Sequence, residues 1–285
     1  MANILKGAPA AAKINDSTLN RAENLKKAGI TPTLAILRVG EKPDDIYYEN
    51  SAVKRAATVG VNAMRVTLPA VVSQSELLDK IRELNGDDTV HGVLILMPLP
   101  RHIDPHTVRN TLAPEKDVDG ITPGSMSGVY SGMSIGFAPC TAQSCVEILE
   151  HYNIPLCGKR VAVVGRSLVI GRPVSMLLMG KDATVTICHT KTENMPEITR
   201  NADIVVTATG KPKAFGASYF KIGQTVIDVG LNVDAEGKMC GDVDFDAVEP
   251  IVENITPALG GVGAVTTAVL LSHTVQAAEK QKERI

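Results

Sequence analysis

The stretch RVAVVGRSLVIGRPVSMLL, Arg160 to Leu178, decides the fold of this chain. Val161 to Val164 is a short, β-branched apolar run closed by Gly165, too brief for a helix and suited to a strand buried on both faces of a parallel sheet. Gly171 and Pro173 then open an apolar pattern of helical spacing, Val174, Leu177 and Leu178, with proline in a first turn where its missing N–H is not needed. Strand, glycine-bounded loop and helix in that order aim backbone N–H groups and a positive helix end at the space above the strand, a place for a pyrophosphate. The spacing is G-R-S-x-x-x-G-x-P rather than G-x-G-x-x-G, so the loop taken alone fits an ordinary βα turn equally well.

The residues that follow extend the alternation. Ala183–Cys188, Ile204–Ala208 and Thr225–Val229 read as three more strands, the last two closed by Gly210 and Gly230, with a helix over Met195–Asn201. Alternating strands and helices with glycine at strand ends predict an α/β fold containing a doubly wound parallel sheet of Rossmann type. In such sheets NAD is held by an acidic residue at the end of the second strand, on the ribose 2′-hydroxyl. Here that place reads His189, Thr190, Lys191, and together with Arg166 these residues suit a 2′-phosphate. The expected cofactor is therefore NADP rather than NAD.

The totals narrow the class. A chain of 285 residues with 44% hydrophobic content fills two modest domains. A net charge of −2 with scattered basic residues, no Trp and 3% aromatics argues against a nucleic-acid or anionic-membrane partner. No stretch approaches about 18 apolar residues, and a lysine interrupts the N-terminal MANILKGAPAAAKIND, so a cytoplasmic protein without a signal peptide is expected. Five cysteines, at 140, 145, 157, 188 and 240, lack CxxC or Cys/His ligand spacing. They are expected to be small buried hydrophobes, with neither disulfides nor a metal site.

The first half also alternates. Helices are expected over Ala10–Lys27, from Pro43 to about Val59, and through Leu84 from a capping box at Ser73 and Glu76; strands over Thr33–Val39, Val61–Leu68 and Val93–Met97. Ala113–Tyr130, rich in Gly, Pro and Ser, reads as a long irregular functional connection. Thr141–Tyr152 is a helix leading into the cofactor domain, Thr256–Gly263 a glycine-rich loop and Ala264–Lys282 a strong helix former. The domains expected are 1–140, completed by a C-terminal helix 264–285, and 141–263.

KDVDG (Lys116–Gly120), VVGRSLVIGRP (Val163–Pro173) and TPALGGVGAVT (Thr256–Thr266) resemble, in order and spacing, the bifunctional methylenetetrahydrofolate dehydrogenase/cyclohydrolase family of FolD type. Val39–Val61, MPLP (Met97–Pro100), FAPCT (Phe137–Thr141), VIDVGLN (Val226–Asn232) and GDVDF (Gly241–Phe245) extend the resemblance over nearly the whole chain. It implies a homodimer of two-domain subunits that binds tetrahydrofolate derivatives in a cleft against the nicotinamide. It also implies that Gly165, Arg166, Ser167, Gly171, His189, Thr190, Lys191, Thr209, Gly210 and Leu231 bind the cofactor. Asp119 would hold the pterin, since a carboxylate accepts two parallel N–H bonds from the 2-amino group and ring N3. Tyr48 would pack on the aminobenzoate ring, with Leu96, Pro98 and Leu99 on the substrate side and Gly260, Gly261 and Val262 as the facing wall.

Two positions depart from the family pattern. The family carries a cyclohydrolase lysine in Y-x-x-x-K and a glutamine two residues before the first proline of PLP; here those positions are Ala52 and Leu96. Lys54 is no replacement, because a two-residue offset turns a side chain about 200° around a helix. Ala142 and Ser144 in PCTAQS, with Ala264 and Val265 in GGVGAVT, are further departures at the folate pocket's outline. The expectation is a dehydrogenase with weak or lost cyclohydrolase activity. The alternatives are a fully bifunctional enzyme making 10-formyltetrahydrofolate and a catalytically silent NADP-binding regulatory protein.

Overall fold

The computed structural model describes residues 1–283 and divides into two compact units, Met1–Ala12 with Thr141–Thr266, and Lys13–Cys140 with the residues from Thr267 onward. In chain order the strands are β1 (Asn3–Ile4), β2 (Thr33–Val39), β3 (Asn62–Leu68), β4 (Gly92–Ile95), β5 (Arg160–Val164), β6 (Thr184–Cys188), β7 (Ile204–Thr207), β8 (Thr225–Asp228), β9 (Asn232–Val233), β10 (Met239–Cys240) and β11 (Asn254–Ile255). The helices are α1 (Gly7–Lys27), α2 (Pro43–Thr58), α3 (Gln74–Gly86), α4 (Pro105–Thr111), α5 (Pro123–Ser131), α6 (Cys140–His151), α7 (Gly171–Met179), α8 (Met195–Asn201), α9 (Phe245–Val248) and α10 (Gly263–Lys282). Of the C-terminal helix expected over 264–285, the last two residues lie outside the described ones.

The unit built from residue 13 onward has a three-stranded parallel sheet in the order β3-β2-β4. Ala35 and Leu37 of β2 pack with Leu77, Ile81 and Leu84 of α3 and with Val93 and Ile95 of β4. The α3 start is the expected capping box: the Ser73 hydroxyl accepts from Glu76 N–H while the Glu76 carboxylate accepts from Ser73 N–H at 2.9 Å. Helix α2 starts at Pro43 with Asp44 and Asp45 in its first turn, where acidic side chains favour the positive helix end. It buries Glu49, Ala52 and Ala56, a single face of 3 and 4 spacing. The Glu49 carboxylate, 1% exposed, accepts from Arg38 Nε of β2 at 2.6 Å, which fixes the rotation of α2 against the sheet.

Ala113–Tyr130 is not the irregular connection its composition indicated. It holds a 3₁₀ turn, Pro114–Lys116, and most of α5, whose first turn is capped by Thr122 accepting from Ser125 N–H at 3.1 Å. Its glycines serve packing: a Cβ on Gly128 would lie 2.1 Å from the Ile135 carbonyl oxygen. Lys116 and Asp117 are buried, and the Lys116 amine donates to the carbonyls of Leu84 and Asp87 at 2.8 and 2.6 Å, closing the end of α3.

The other unit has six parallel strands in the order β1-β11-β8-β7-β5-β6. Residues 1–12, placed with the first domain by sequence, belong here because Asn3 and Ile4 pair with Asn254 and Ile255. A two-residue strand carries no readable period. The chain reverses direction across the sheet between β5 and β7, so their carboxyl ends form the switch point at which such sheets bind ligands. Ala162, Val205, Val226 and Ile255, one from each of four strands, share a core with Phe215, Phe220 and Val248. Four cysteines are buried as expected, whereas Cys157 is exposed. No described helix is long and apolar enough to cross a membrane.

Removing Glu49 strands Arg38, whose side chain is only 11% exposed. Glu49→Ala is therefore expected to destabilise the protein by about 3–5 kcal/mol, read from urea unfolding as a lower midpoint at unchanged slope.

Candidate active site

The loop after β5 is shaped by two glycines that meet each other. A Cβ on Gly171 would sit 2.2 Å from the Gly165 carbonyl oxygen, and one on Gly165, whose φ is +131°, would sit 2.3 Å from the Ala208 carbonyl oxygen after β7. Only backbone without side chains lets α7 start this close to the strand end. The Ser167 hydroxyl accepts from the N–H groups of Ile170 and Gly171 at 3.1 and 3.4 Å, and its carbonyl takes Arg172 N–H at 3.0 Å. The first amides of α7 are thus satisfied within the loop, contrary to the expectation that they stand free for a pyrophosphate.

Above this loop lies a cavity of about 490 Å³. Of the residues expected to bind the cofactor, Gly165, Arg166, Ser167, His189, Thr190 and Thr209 line it, and Gly171, Lys191, Gly210 and Leu231 do not. Gly171 acts by packing, and the backbone N–H of Lys191 donates to His189 Nδ1 at 3.1 Å, which leaves the ring hydrogen on Nε2. Seven further lining residues were not among the expected site residues: Val164, Met195, Ala208, Lys211, Ala214, Phe215 and Tyr219. Phe215 and Tyr219 meet edge to face at 5.1 Å, and no local periodicity marks them. Lys211 brings a second cation beside Arg166.

In the other unit, KDVDG divides its work between two aspartates. Asp117, fully buried, accepts from Ile121 N–H at 2.9 Å, Thr122 N–H at 2.7 Å and the Ser125 hydroxyl at 2.6 Å. Its capacity is spent on the turn. Asp119 is only partly buried and faces Tyr48 and the Cys140 thiol. Burial pushes its carboxyl up to about 6, against a hydrogen bond from Cys140. Burial, followed by the charges of Asp119 and Cys140, keeps the Tyr48 hydroxyl protonated far above its ordinary value, with Thr267 and Arg55 opposing. Behind them His273 Nδ1–H donates to the Val118 carbonyl at 2.9 Å, and burial lowers its ring to about 4, so it is neutral at pH 7. Thr267 and His273 were not singled out by sequence.

Ala52 is 1% exposed and Leu96 8%. Lys54 is exposed, off the buried face of α2. Leu99 is buried, while Pro98 is exposed and its carbonyl accepts from the Lys42 amine at 2.8 Å. Val262 is 2% exposed, and the close approaches of Gly261 are to Gly7 and Pro257, so this stretch packs within its own unit.

A family model described as tetrahydrofolate dehydrogenase/cyclohydrolase, catalytic domain, matches residues 5–119, and its NAD(P)-binding domain partner matches residues 139–282. The chain belongs to the tetrahydrofolate dehydrogenase/cyclohydrolase family. It is 48% identical to the bifunctional protein FolD of Carboxydothermus hydrogenoformans, over 98% of each chain. The crystal structure of the bifunctional FolD enzyme of Campylobacter jejuni superposes with a TM-score of 0.95 at 37% identity, covering both chains fully. The Trypanosoma brucei FolD enzyme, solved with NADP and an inhibitor, superposes at 0.90 with 34% identity, covering 100% of this chain and 99% of that one.

Within this family frame, the cavity at the switch point suits a dinucleotide: a glycine-floored approach after β5, the Thr190 hydroxyl, and two cations in Arg166 and Lys211. Asp119 is the residue to which the family resemblance gave the pterin. Its raised pKa means that the native state binds more protons than the unfolded chain between the ordinary Asp value and about 6. The stability this group contributes is full below about pH 4 and is lost as pH rises through about 6. At pH 7.5, Asp119→Asn is expected to raise stability by on the order of 1–2 kcal/mol and to weaken folate binding at least tenfold. Thermal unfolding at pH 4.5 and 7.5, alongside folate titration, checks both signs.

Proposed function

We propose that this protein oxidises 5,10-methylenetetrahydrofolate to 5,10-methenyltetrahydrofolate with NADP and has lost most or all of the hydrolysis of the methenyl product. The observation that carries the second half is the pair Ala52 and Leu96, both buried and apolar at the family's lysine and glutamine positions. Hydride transfer makes few demands on acid–base groups: NADP supplies the acceptor, and the protein aligns two rings and keeps water out. Asp119 fixes the pterin through paired N–H bonds and Tyr48 flanks the aminobenzoate ring. Arg166, Thr190 and Lys211 take the 2′-phosphate, which sets NADP above NAD.

Hydrolysis needs a group that gives and takes a proton beside the cationic carbon. Lys54 is exposed and off the face that carries Tyr48 and Ala52. Arg55 lies two helical turns after Tyr48 on that face and bears electrostatically on its hydroxyl, but a guanidinium stays protonated and cannot act as a base. The named function of the 48% identical relative favours a second reading, a fully bifunctional enzyme. A homodimer working in the cytoplasm accompanies either reading on the strength of the family resemblance.

The paired assay of NADPH formation and methenyl decay on purified protein separates the readings. NADPH formation with decay at the spontaneous rate is expected; decay accelerated a hundredfold or more sinks the proposed loss, and NADP binding without turnover favours a silent regulatory protein. Ala52→Lys with Leu96→Gln should restore part of the roughly 10²–10⁴ that a positioned acid–base group contributes. Lys211→Ala and Arg166→Ala should each lower the NADP over NAD preference in kcat/KM by about tenfold, the worth of one charged phosphate contact of about 1.4 kcal/mol.

A further inference from the structure

The carboxylate of Asp242, two residues beyond the end of β10, is fully buried at the point where two segments of the cofactor unit converge. One of its oxygens, Oδ2, accepts from the Thr209 N–H, the Thr209 hydroxyl at 3.0 Å and the Gly210 N–H at 3.2 Å. The other, Oδ1, accepts from the Lys211 N–H at 3.0 Å and from Asn232 Nδ2 at 2.9 Å. Five donors on two oxygens use the full capacity of an ionised carboxylate. Four of them come from three consecutive residues, Thr209 to Lys211, and two of those residues line the cofactor cavity. The fifth belongs to Asn232, the neighbour of Leu231.

The surroundings are shaped to deliver this carboxylate. A Cβ on Gly230 would lie 2.2 Å from Asp242 Oδ1, so only glycine leaves room for it. Asp228, at the end of β8, accepts from Asp242 N–H at 3.1 Å and Val243 N–H at 3.0 Å, and thereby fixes the backbone from which the Asp242 side chain extends. Because the amides of 209–211 are turned toward Asp242, they do not form an anion nest in the cavity. What the loop offers a phosphate as a donor is the Lys211 side chain, since the Thr209 hydroxyl already donates to Asp242 and lines the cavity as an acceptor.

From this geometry we infer that Asp242 is the positioning residue of the cofactor site: it touches no cofactor atom and holds the loop after β7 so that Thr209 and Lys211 face the dinucleotide. The inference rests on the proposed cofactor reading. An amide could not substitute, since Asn would keep one acceptor oxygen and set an NH₂ group against the converging donors.

The test is calorimetric titration of the intact protein with NADP, together with KM for NADP and for the folate substrate. Asp242→Asn should weaken NADP binding tenfold or more while the folate KM stays within twofold. Leu149→Ala, a core truncation in the same unit away from the cavity, serves as the control for general destabilisation and should leave NADP affinity unchanged. Unchanged affinity in folded Asp242→Asn, or an equal loss in Leu149→Ala, overturns the inference. If Asp242→Asn does not fold, Asn232→Ala decides: a threefold or greater loss supports the inference and none overturns it. A wild-type protein that binds no NADP brings down the cofactor reading along with the inference, whereas the other failures leave that reading standing.

Discussion

The architecture of the cofactor unit depends on a steric constraint, the contact between Gly165 and Gly171. The two residues are six positions apart, yet a single added carbon on either would collide with backbone 2.2–2.3 Å away. That closeness brings α7 to the strand end, brings the β5 and β7 termini together at the switch point and leaves the cavity above them open. The Ser167 hydroxyl makes the tight loop self-sufficient by satisfying its amides locally. The cations that line the cavity are then the Arg166 and Lys211 side chains rather than a bare helix terminus.

Aspartates recur in two roles across the molecule, and the distinction follows from the donors around them. Asp117, Asp228 and Asp242 are buried where backbone amides converge, and each is fully occupied within the fold. Burial raises the carboxyls of Asp119 and Asp228 alike to about 6; Asp228 takes four donors from the fold, whereas Asp119 takes a hydrogen bond from the Cys140 thiol. A carboxylate left incompletely satisfied in a desolvated place costs stability in the free protein, and that cost is recovered only by a ligand that supplies the missing N–H groups.

The exchange of a lysine and a glutamine for Ala52 and Leu96 is self-consistent in physical terms. Removing one member of a buried polar pair would leave an unpaired amine or amide; replacing both leaves an apolar wall with no orphan. The α2 face of Glu49, Ala52 and Ala56 stays buried, and the Glu49 to Arg38 ion pair holds its rotation without help from the missing amine.

What the sequence by itself determined was everything written in local spacing: the β/α alternation, the capping box at Ser73 and Glu76, the helix from Pro43 with Tyr48 and Ala52 one turn apart, and the glycine loop after β5. The family motifs added Asp119 and the cavity residues from Gly165 to Ser167. The tertiary structure alone decided that Asn3 and Ile4 complete the second sheet, that Pro123 to Ser131 is a helix whose glycines are packing surfaces, and that Lys211, Phe215 and Tyr219 line the cavity. It alone tied Asp242 to a loop 33 positions earlier in the chain. The reason is the range of the forces: periodicity and turn chemistry act within a few residues, whereas steric fit and carboxylate satisfaction depend on which distant segments the fold brings together.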